Sequence, residues 1–256
     1  MKTMRLACIV AGAIVSAGVL VIAQTRAPVN VQDGGTRQTL ESIFIPPMAG
    51  APFTCILHTE WVQFTPDGGT LTVVNQRRIA RQGSGRFYQE RWVLVPKNGQ
   101  MESQMTHVQV ADPNSHTLYT CTMGPNVCSL TNYGGATSTV YRPAETPTGP
   151  LPNGIGYITN AALGTDITLG VETVRTRVTK TINAWVVGND RVLTNTREFW
   201  FAPNLGINLI SKVSDPRYGT QTFTVSDLVL GEPDAQLFEV PKDFKVLDER
   251  VAAAVK

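Results

Sequence analysis

Every ten or so residues the chain is interrupted by a turn-forming cluster, and between the clusters stand runs rich in Val, Ile, Thr, Phe, Tyr and Trp. That spacing suits strands joined by tight reversals and leaves little room for helices. The expected strands are Phe53–Gln63, Leu71–Gln82, Arg86–Val95, Ser103–Asp112, His116–Met123, Tyr157–Leu163, Val171–Asn183, Arg191–Phe201, Ile207–Ser214 and Thr220–Leu230. Connectors such as Pro66-Asp67-Gly68-Gly69, Gly83-Ser84-Gly85 and Asp215-Pro216-Arg217-Tyr218-Gly219 supply the fixed or positive φ values a reversal needs. Short connectors make neighbours antiparallel, so the reading is an all-β meander. Helical pattern is confined to one turn at Asp234–Phe238 and a weak stretch at Phe244–Val255.

Side-chain alternation bends this sheet. Val174, Val178 and Ile182 share one face while Arg175, Arg177 and Thr179 share the other. A sheet of about ten strands with one apolar face must curl or be covered, and with almost no helix available curling is the expected solution.

The first residues read as a targeting segment: Lys2 and Arg5, an uncharged run from Leu6 to Ala23, and Val21-Ile22-Ala23 as a small-x-small cleavage site. Two readings fit residues 1–23, a cleaved signal or an uncleaved anchor in which residues 6–23 cross the inner membrane. Both put the bulk of the chain in the periplasm or outside the cell. Residues 24–50 read as a flexible tether, 51–246 as one β domain interrupted by a long mobile loop at 131–156, and 247–256 as a tail. Without residues 1–23, 20 basic side chains face 20 acidic ones. A neutral chain lacks the electrostatic basis for binding nucleic acid, and the only membrane contact expected is the N-terminal run.

Cysteine usage matches an oxidising address. Cys121 and Cys128 flank a turn-forming hexapeptide and are expected to form a disulfide, whereas Cys55 reads as a buried thiol. His58, His107 and His116 are too scattered to complete a metal site with them, and no cofactor fingerprint is present.

No catalytic set emerges. Ser84 sits in a hairpin turn without the following helix a nucleophile elbow requires, and Glu90 and Glu198 lie mid-strand beside arginines that account for them. Glu60, next to Trp61, reads as an exposed carboxylate. The aromatic side chains are more informative, because in a curled sheet without covering helices the core and a ligand cavity share one space. Trp61, Tyr88, Trp92, Phe199 and Phe201 are the candidate lining residues. The arginines of the same strands admit two readings. Either they form a solvated outer face paired with Glu90, Glu172 and Glu198, or some of them, Arg86 and Arg197 foremost, stand at the cavity mouth and hold an anionic head group. The expected function is non-enzymatic binding of an apolar or amphipathic, lipid-like ligand. The alternative is an envelope module that contacts another protein through a sheet edge or the 131–156 loop.

Three stretches, Gly170 to Thr179, Arg197 to Gly206 and Glu232 to Phe244, resemble the C-terminal half of uncharacterised exported bacterial proteins related to the outer-membrane lipoprotein carriers and to periplasmic sensors of the same fold. Phe87 to Trp92 and Asp112 to Thr117 extend the resemblance over roughly residues 55 to 246. It implies a strongly curved antiparallel half-barrel with an apolar concavity and no catalytic residues. Such carriers close the concavity with helices; this chain has none of adequate length, which leaves the 131–156 loop to cover the mouth.

Overall fold

Period-two patterning becomes strand throughout. The structure, a computed structural model, describes residues 43–98 and 100–250. The expected signal or anchor, residues 24–42 of the tether and residues 251–256 lie outside them. In chain order the strands are β1 (Phe53–Phe64), β2 (Thr70–Arg81), β3 (Phe87–Lys97), β4 (Gln100–Asp112), β5 (Thr117–Thr122), β6 (Val127–Asn132), β7 (Gly149–Pro150), β8 (Gly156–Thr168), β9 (Val171–Ile182), β10 (Leu193–Ala202), β11 (Ile207–Asp215), β12 (Gly219–Leu230) and β13 (Lys245–Asp248). Only two short 3-10 turns interrupt them among the described residues, at Pro152–Gly154 and Ala235–Phe238.

All thirteen strands join one open sheet in the order β13-β6-β5-β4-β3-β2-β1-β12-β11-β10-β9-β8-β7. The meander is therefore two meanders. β1 sits in the middle, paired antiparallel with β2 on one side and with β12 on the other, so that Leu57 faces both Arg77 and Val225. Along the sheet β6 and β7 are eleven strand spacings apart, about 53 Å at about 4.8 Å each. The chain crosses from one to the other through residues 133–148, which span at most about 55 Å when fully extended. In a curled sheet the route across the hollow is shorter than the route around the wall, and these residues take it. Tyr133 packs edge-on against Phe87 of β3, Ser138 bridges to Met48, and Tyr141 packs against Phe201 of β10.

On the hollow side, Phe53, Cys55 and Leu57 of β1 form the main core with Ile79 of β2, Phe87 of β3, Ile207 and Leu209 of β11, and Phe223 and Val225 of β12. Ile43, Ile45 and Leu205 complete it. Residues 43–50 are thus part of the domain instead of the end of a tether. The curled apolar face needs a cover, and two isoleucines in an irregular Pro-containing stretch provide one.

Arg81 explains how that stretch is held. It has no exposed surface, and its guanidinium donates to the carbonyls of Ala51 (3.1 and 2.8 Å), Pro46 (3.0 Å) and Leu205 (2.6 Å) while lying 4.9 Å over the Phe53 ring. Burial lowers its pKa to about 10. The solvated-face reading of the β2 arginines fails at this position, because only a buried fork of donors satisfies three carbonyls contributed by two segments far apart in the chain.

The convex side of the β2–β6 arm is apolar as well. Ala80, Tyr88, Val108, Val110 and the Cys121–Cys128 disulfide pack against Phe238, with Leu237, Val240 and Phe244 alongside. The expected helix after Phe244 is replaced by β13, which adds to β6 in parallel. An open sheet edge offers Lys245–Asp248 a ready ladder. The 131–156 loop is shorter than expected, since Thr131 and Asn132 end β6, Gly149 and Pro150 form β7, and Pro152–Gly154 is a 3-10 turn.

Candidate ligand cavity

The aromatic run Phe199-Trp200-Phe201 of β10 divides between the faces of the sheet. Trp200 points outward and is covered by the Arg175 guanidinium at 4.8 Å and the Lys212 ammonium at 5.3 Å. Phe199, opposite Thr176, and Phe201, opposite Val174, face the hollow. β11 carries one extra residue here: Ile210 pairs with Trp200 and Asn208 with Phe201, which leaves Leu209 to drop fully into the core. The bulge bends the strands where the floor of the cavity begins.

At the lower end of β10 and β11 the chain reverses through Ala202–Gly206, closed by hydrogen bonds from the Leu205 and Gly206 amides to the Ala202 carbonyl. Gly206 is required twice over. Its φ is +65°, and a Cβ would stand 2.8 Å from Met48 Sδ and 3.3 Å from Tyr141 Cβ. The close approach lets residues 46–48 and 141 lie directly on the turn.

The roof is Arg142–Thr146. Tyr141 anchors its start between Phe201 (6.3 Å between ring centres) and Phe44 (5.3 Å). Beyond its other end, the Asn160 amide donates to Thr148 Oγ1 at 2.8 Å, and Asn160 Nδ2 donates to the Thr146 carbonyl at 3.2 Å. Between roof and floor lies a cavity of about 520 Å³, within the range of roughly 300–1,000 Å³ usual for small-molecule sites. Val174, Val178, Phe199, Phe201 and Pro203 form most of its apolar wall; Asn160, Thr176 and Asn208 add neutral polar groups. Its charged lining residues, Arg142 and Glu145, are both on the roof. The arrangement has an apolar floor, neutral hydrogen-bonding groups and a charged rim, which suits a ligand with an apolar body and a polar end. Among the described residues no group of three or more His, Cys, Asp and Glu could hold a metal ion.

Of the residues singled out in the sequence, Phe199 and Phe201 line this cavity and the other five lie elsewhere. Trp61 donates its indole N–H to the Tyr218 carbonyl at 2.7 Å. Tyr88 is buried against Phe238 on the convex side, and its hydroxyl donates to Glu90 at 2.9 Å. Its pKa is raised, first by burial and then by the Glu90 charge. Trp92 also donates to Glu90 (2.9 Å), in a shallower depression of about 310 Å³ shared with Ile56, Arg78 and Asp227. Glu90 in turn accepts from the Arg78 amide at 2.9 Å, at the point where the paired register of β2 and β3 ends. Arg86 donates to the Phe238 carbonyl at 2.6 Å and stacks over that ring. Arg197 pairs with Val178 across the β9–β10 ladder, is exposed and does not line the cavity.

Arg77 is also withdrawn from water. It reaches Thr59 Oγ1 at 3.5 Å, and its pKa falls to about 10 through burial and the nearby charge of Arg91. The residues the sequence did not single out are the roof and the floor valines. The alternation of Val174 and Val178 marked an apolar face, and the 131–156 loop expected over the mouth supplies the cover, but no residue within Arg142–Thr146 stood out as lining.

No family model and no curated protein matches the chain. Among solved structures it is similar to LprF from Mycobacterium bovis (TM-score 0.31, 15% identity, 76% of this chain and 90% of that one). It is also similar to a protein described as an outer membrane lipoprotein-sorting domain from Vibrio parahaemolyticus (0.23, 8%, 75% and 91%) and to a DUF1329 family protein from Desulfovibrio piger (0.20, 11%, 75% and 90%). The fold assignment itself, an open and strongly curved antiparallel half-barrel, rests on the strand ladders described above.

Proposed function

We propose that this is an exported, non-enzymatic binding protein of the cell envelope that holds an apolar or amphipathic, lipid-like ligand beneath the Arg142–Thr146 roof. One observation carries the reading: a cavity of about 520 Å³ whose floor is valine and phenylalanine and whose charged lining lies on the roof alone. A chain of methylenes on that floor gains about 0.8 kcal/mol per buried CH₂, and Arg142 or Asn160 is placed to meet a polar end. The disulfide and the export-type N-terminus support an oxidising compartment.

Native mass spectrometry of protein purified from the periplasm is expected to show adducts of lipid mass. Val178→Glu, which puts a carboxylate on the floor, is expected to remove them while leaving the fold intact. Clean apo spectra for the unsubstituted protein, together with no thermal shift on adding fatty acids, would overturn the reading. A second reading is favoured by the outer edge of β8: beyond Asn160 no strand lies beside it among the described residues, and an envelope protein could add one there. Crosslinking in intact cells separates the two, since only this one requires a recurrent protein partner at residues 161–168.

A further inference from the structure

The sheet order β2-β1-β12-β11-β10-β9 sets three hairpins side by side, and their reversals at residues 65–69, 216–218 and 183–192 lie at the same end, opposite the Gly206 turn. At two strand spacings per hairpin the row of tips runs about 20 Å. Large apolar side chains stand out along it. Trp185 is 78% exposed, Phe64 71% and Tyr218 58%, with Leu71, Val186 and Val187 beside them. A water-facing loop seldom presents several large apolar side chains together and ordinarily leaves its backbone to solvent; these tips expose such side chains beside a few charged ones and tie much of their backbone internally.

Many of their polar groups bond to one another, although the Asp190 and Arg191 side chains remain 75% and 88% exposed. In the β9–β10 tip, Asn189 accepts the Trp185 amide on its carbonyl (2.6 Å) and the Val187 amide on Oδ1 (3.1 Å). Its own Nδ2 donates to the carbonyls of Asn183 and Arg191 at 2.8 and 2.6 Å. Trp185 is held at φ +71° in doing so, a region bulky residues rarely occupy. In the β1–β2 tip the Thr65 hydroxyl and the Gly69 amide donate to Asp67, and the Gly68 amide donates to the Thr65 carbonyl. In the β11–β12 tip Asp215 takes two bonds from the Arg217 guanidinium, which lies 5.0 Å over the Tyr218 ring. Asp190 stands 3.8 Å from Arg191. Charges at the row thus largely cancel, and the backbone dipoles close on themselves.

We propose that this row of tips is a membrane-docking rim that enters the interfacial layer of a zwitterionic bilayer, with Trp185, Phe64 and Tyr218 as its anchors. Self-satisfied backbone favours lipid over a protein partner, because a bilayer interface offers few hydrogen-bond partners and penalises unpaired amides. Tryptophan and tyrosine are the side chains suited to that layer, apolar in body with one polar tip. The near-neutral charge matches a zwitterionic surface and gives no preference for an anionic one. β9 and β10, which end in the Trp185 tip, are also the cavity floor, so docking would bring the floor strands to the lipid surface. The docking inference does not depend on what the cavity holds.

The test uses the full chain with phosphatidylcholine vesicles carrying bromine on the acyl chains, a short-range quencher of tryptophan. Four tryptophans are present, at positions 61, 92, 185 and 200. The native chain is expected to be quenched more than Trp185→Phe, and the difference is expected to survive about 1 M salt, at which the Debye length is about 3 Å. The double substitution Phe64→Ser/Tyr218→Ser is expected to reduce the native chain's vesicle-dependent quenching by roughly half or more. All these side chains are exposed, so unchanged thermal midpoints are expected to show the variants folded. Equal quenching of the native chain and Trp185→Phe overturns the proposal; it is the result an N-terminal anchor acting alone would give.

Discussion

Arg81 lies over the ring of Phe53 with both side chains fully buried, and the same guanidinium holds the carbonyls of residues 46, 51 and 205. This cation therefore joins the covering segment, the central strands and the turn beneath the cavity. Replacing it with Leu keeps much of the volume and leaves three carbonyls without their donor. The expected loss is about 3 kcal/mol or more, from about 1–3 kcal/mol per buried unsatisfied group. Lysine is expected to recover less than half of it, since one ammonium cannot serve a fork of carbonyls. Urea unfolding of the two variants checks both statements.

Asp215 gives the stability an acid-side dependence. Its hydrogen bonds from Arg217 come first among the influences that hold its pKa at about 2, against an ordinary 3.8, and Asn195 adds another. A carboxylate with a depressed folded-state pKa binds fewer protons in the folded than in the unfolded chain between those values. Its contribution is therefore complete above about pH 4 and is lost as the pH falls toward 2. Because Arg217 is 43% exposed, screening reduces the effect to about 1 kcal/mol. Chemical unfolding from pH 5 to 2 is expected to show Asp215→Asn losing about 1 kcal/mol less than the native chain across that window.

The disulfide joins residues that face each other directly across the β5–β6 ladder, with Cα atoms 3.9 Å apart. Chain entropy for so short a loop assigns it roughly 2–3 kcal/mol, which the Cys121→Ser/Cys128→Ser pair is expected to lose. Cys55 is buried and its pKa is pushed up to about 12, so it is protonated and shielded at neutral pH. Among Cys55, Cys121 and Cys128, a thiol reagent is expected to label none in the native protein, one after denaturation and all three after denaturation with reductant. Native labelling of Cys55 would contradict its placement in the core.

Gly206→Ala tests the seam between turn and roof. The substitution puts a Cβ at φ +65° and within 2.8 Å of Met48 Sδ. A left-handed alanine alone costs about 1–2 kcal/mol, and displacement of Met48 and Tyr141 is expected to make residues 133–148 exchange amide hydrogens faster while β1 and β12 stay protected. Uniform acceleration everywhere would mean the seam is not a local structure.

Local patterns were enough for part of this. Alternation along β9, β10 and β11, glycine and proline at the reversals, and the six residues standing between Cys121 and Cys128 are properties of neighbouring residues, and a strand or hairpin is decided largely by its neighbours. β6 escaped because Val127–Asn132 is short; it gains its place from the disulfide and from strands on both sides. The rest depended on segments meeting from far apart. Arg81 has the same chemical signature as Arg78 and Arg86, and only the arrival of residues 46, 51 and 205 distinguishes it. Likewise Tyr88, Trp92 and Phe199 share an aromatic strand context, yet curvature puts one under Phe238, one beside Glu90 and one in the cavity. Which face is hollow, and where along it the loop after β6 comes to rest, follows from the closure of β1 on β12, a pairing between residues more than 150 positions apart that no local propensity encodes.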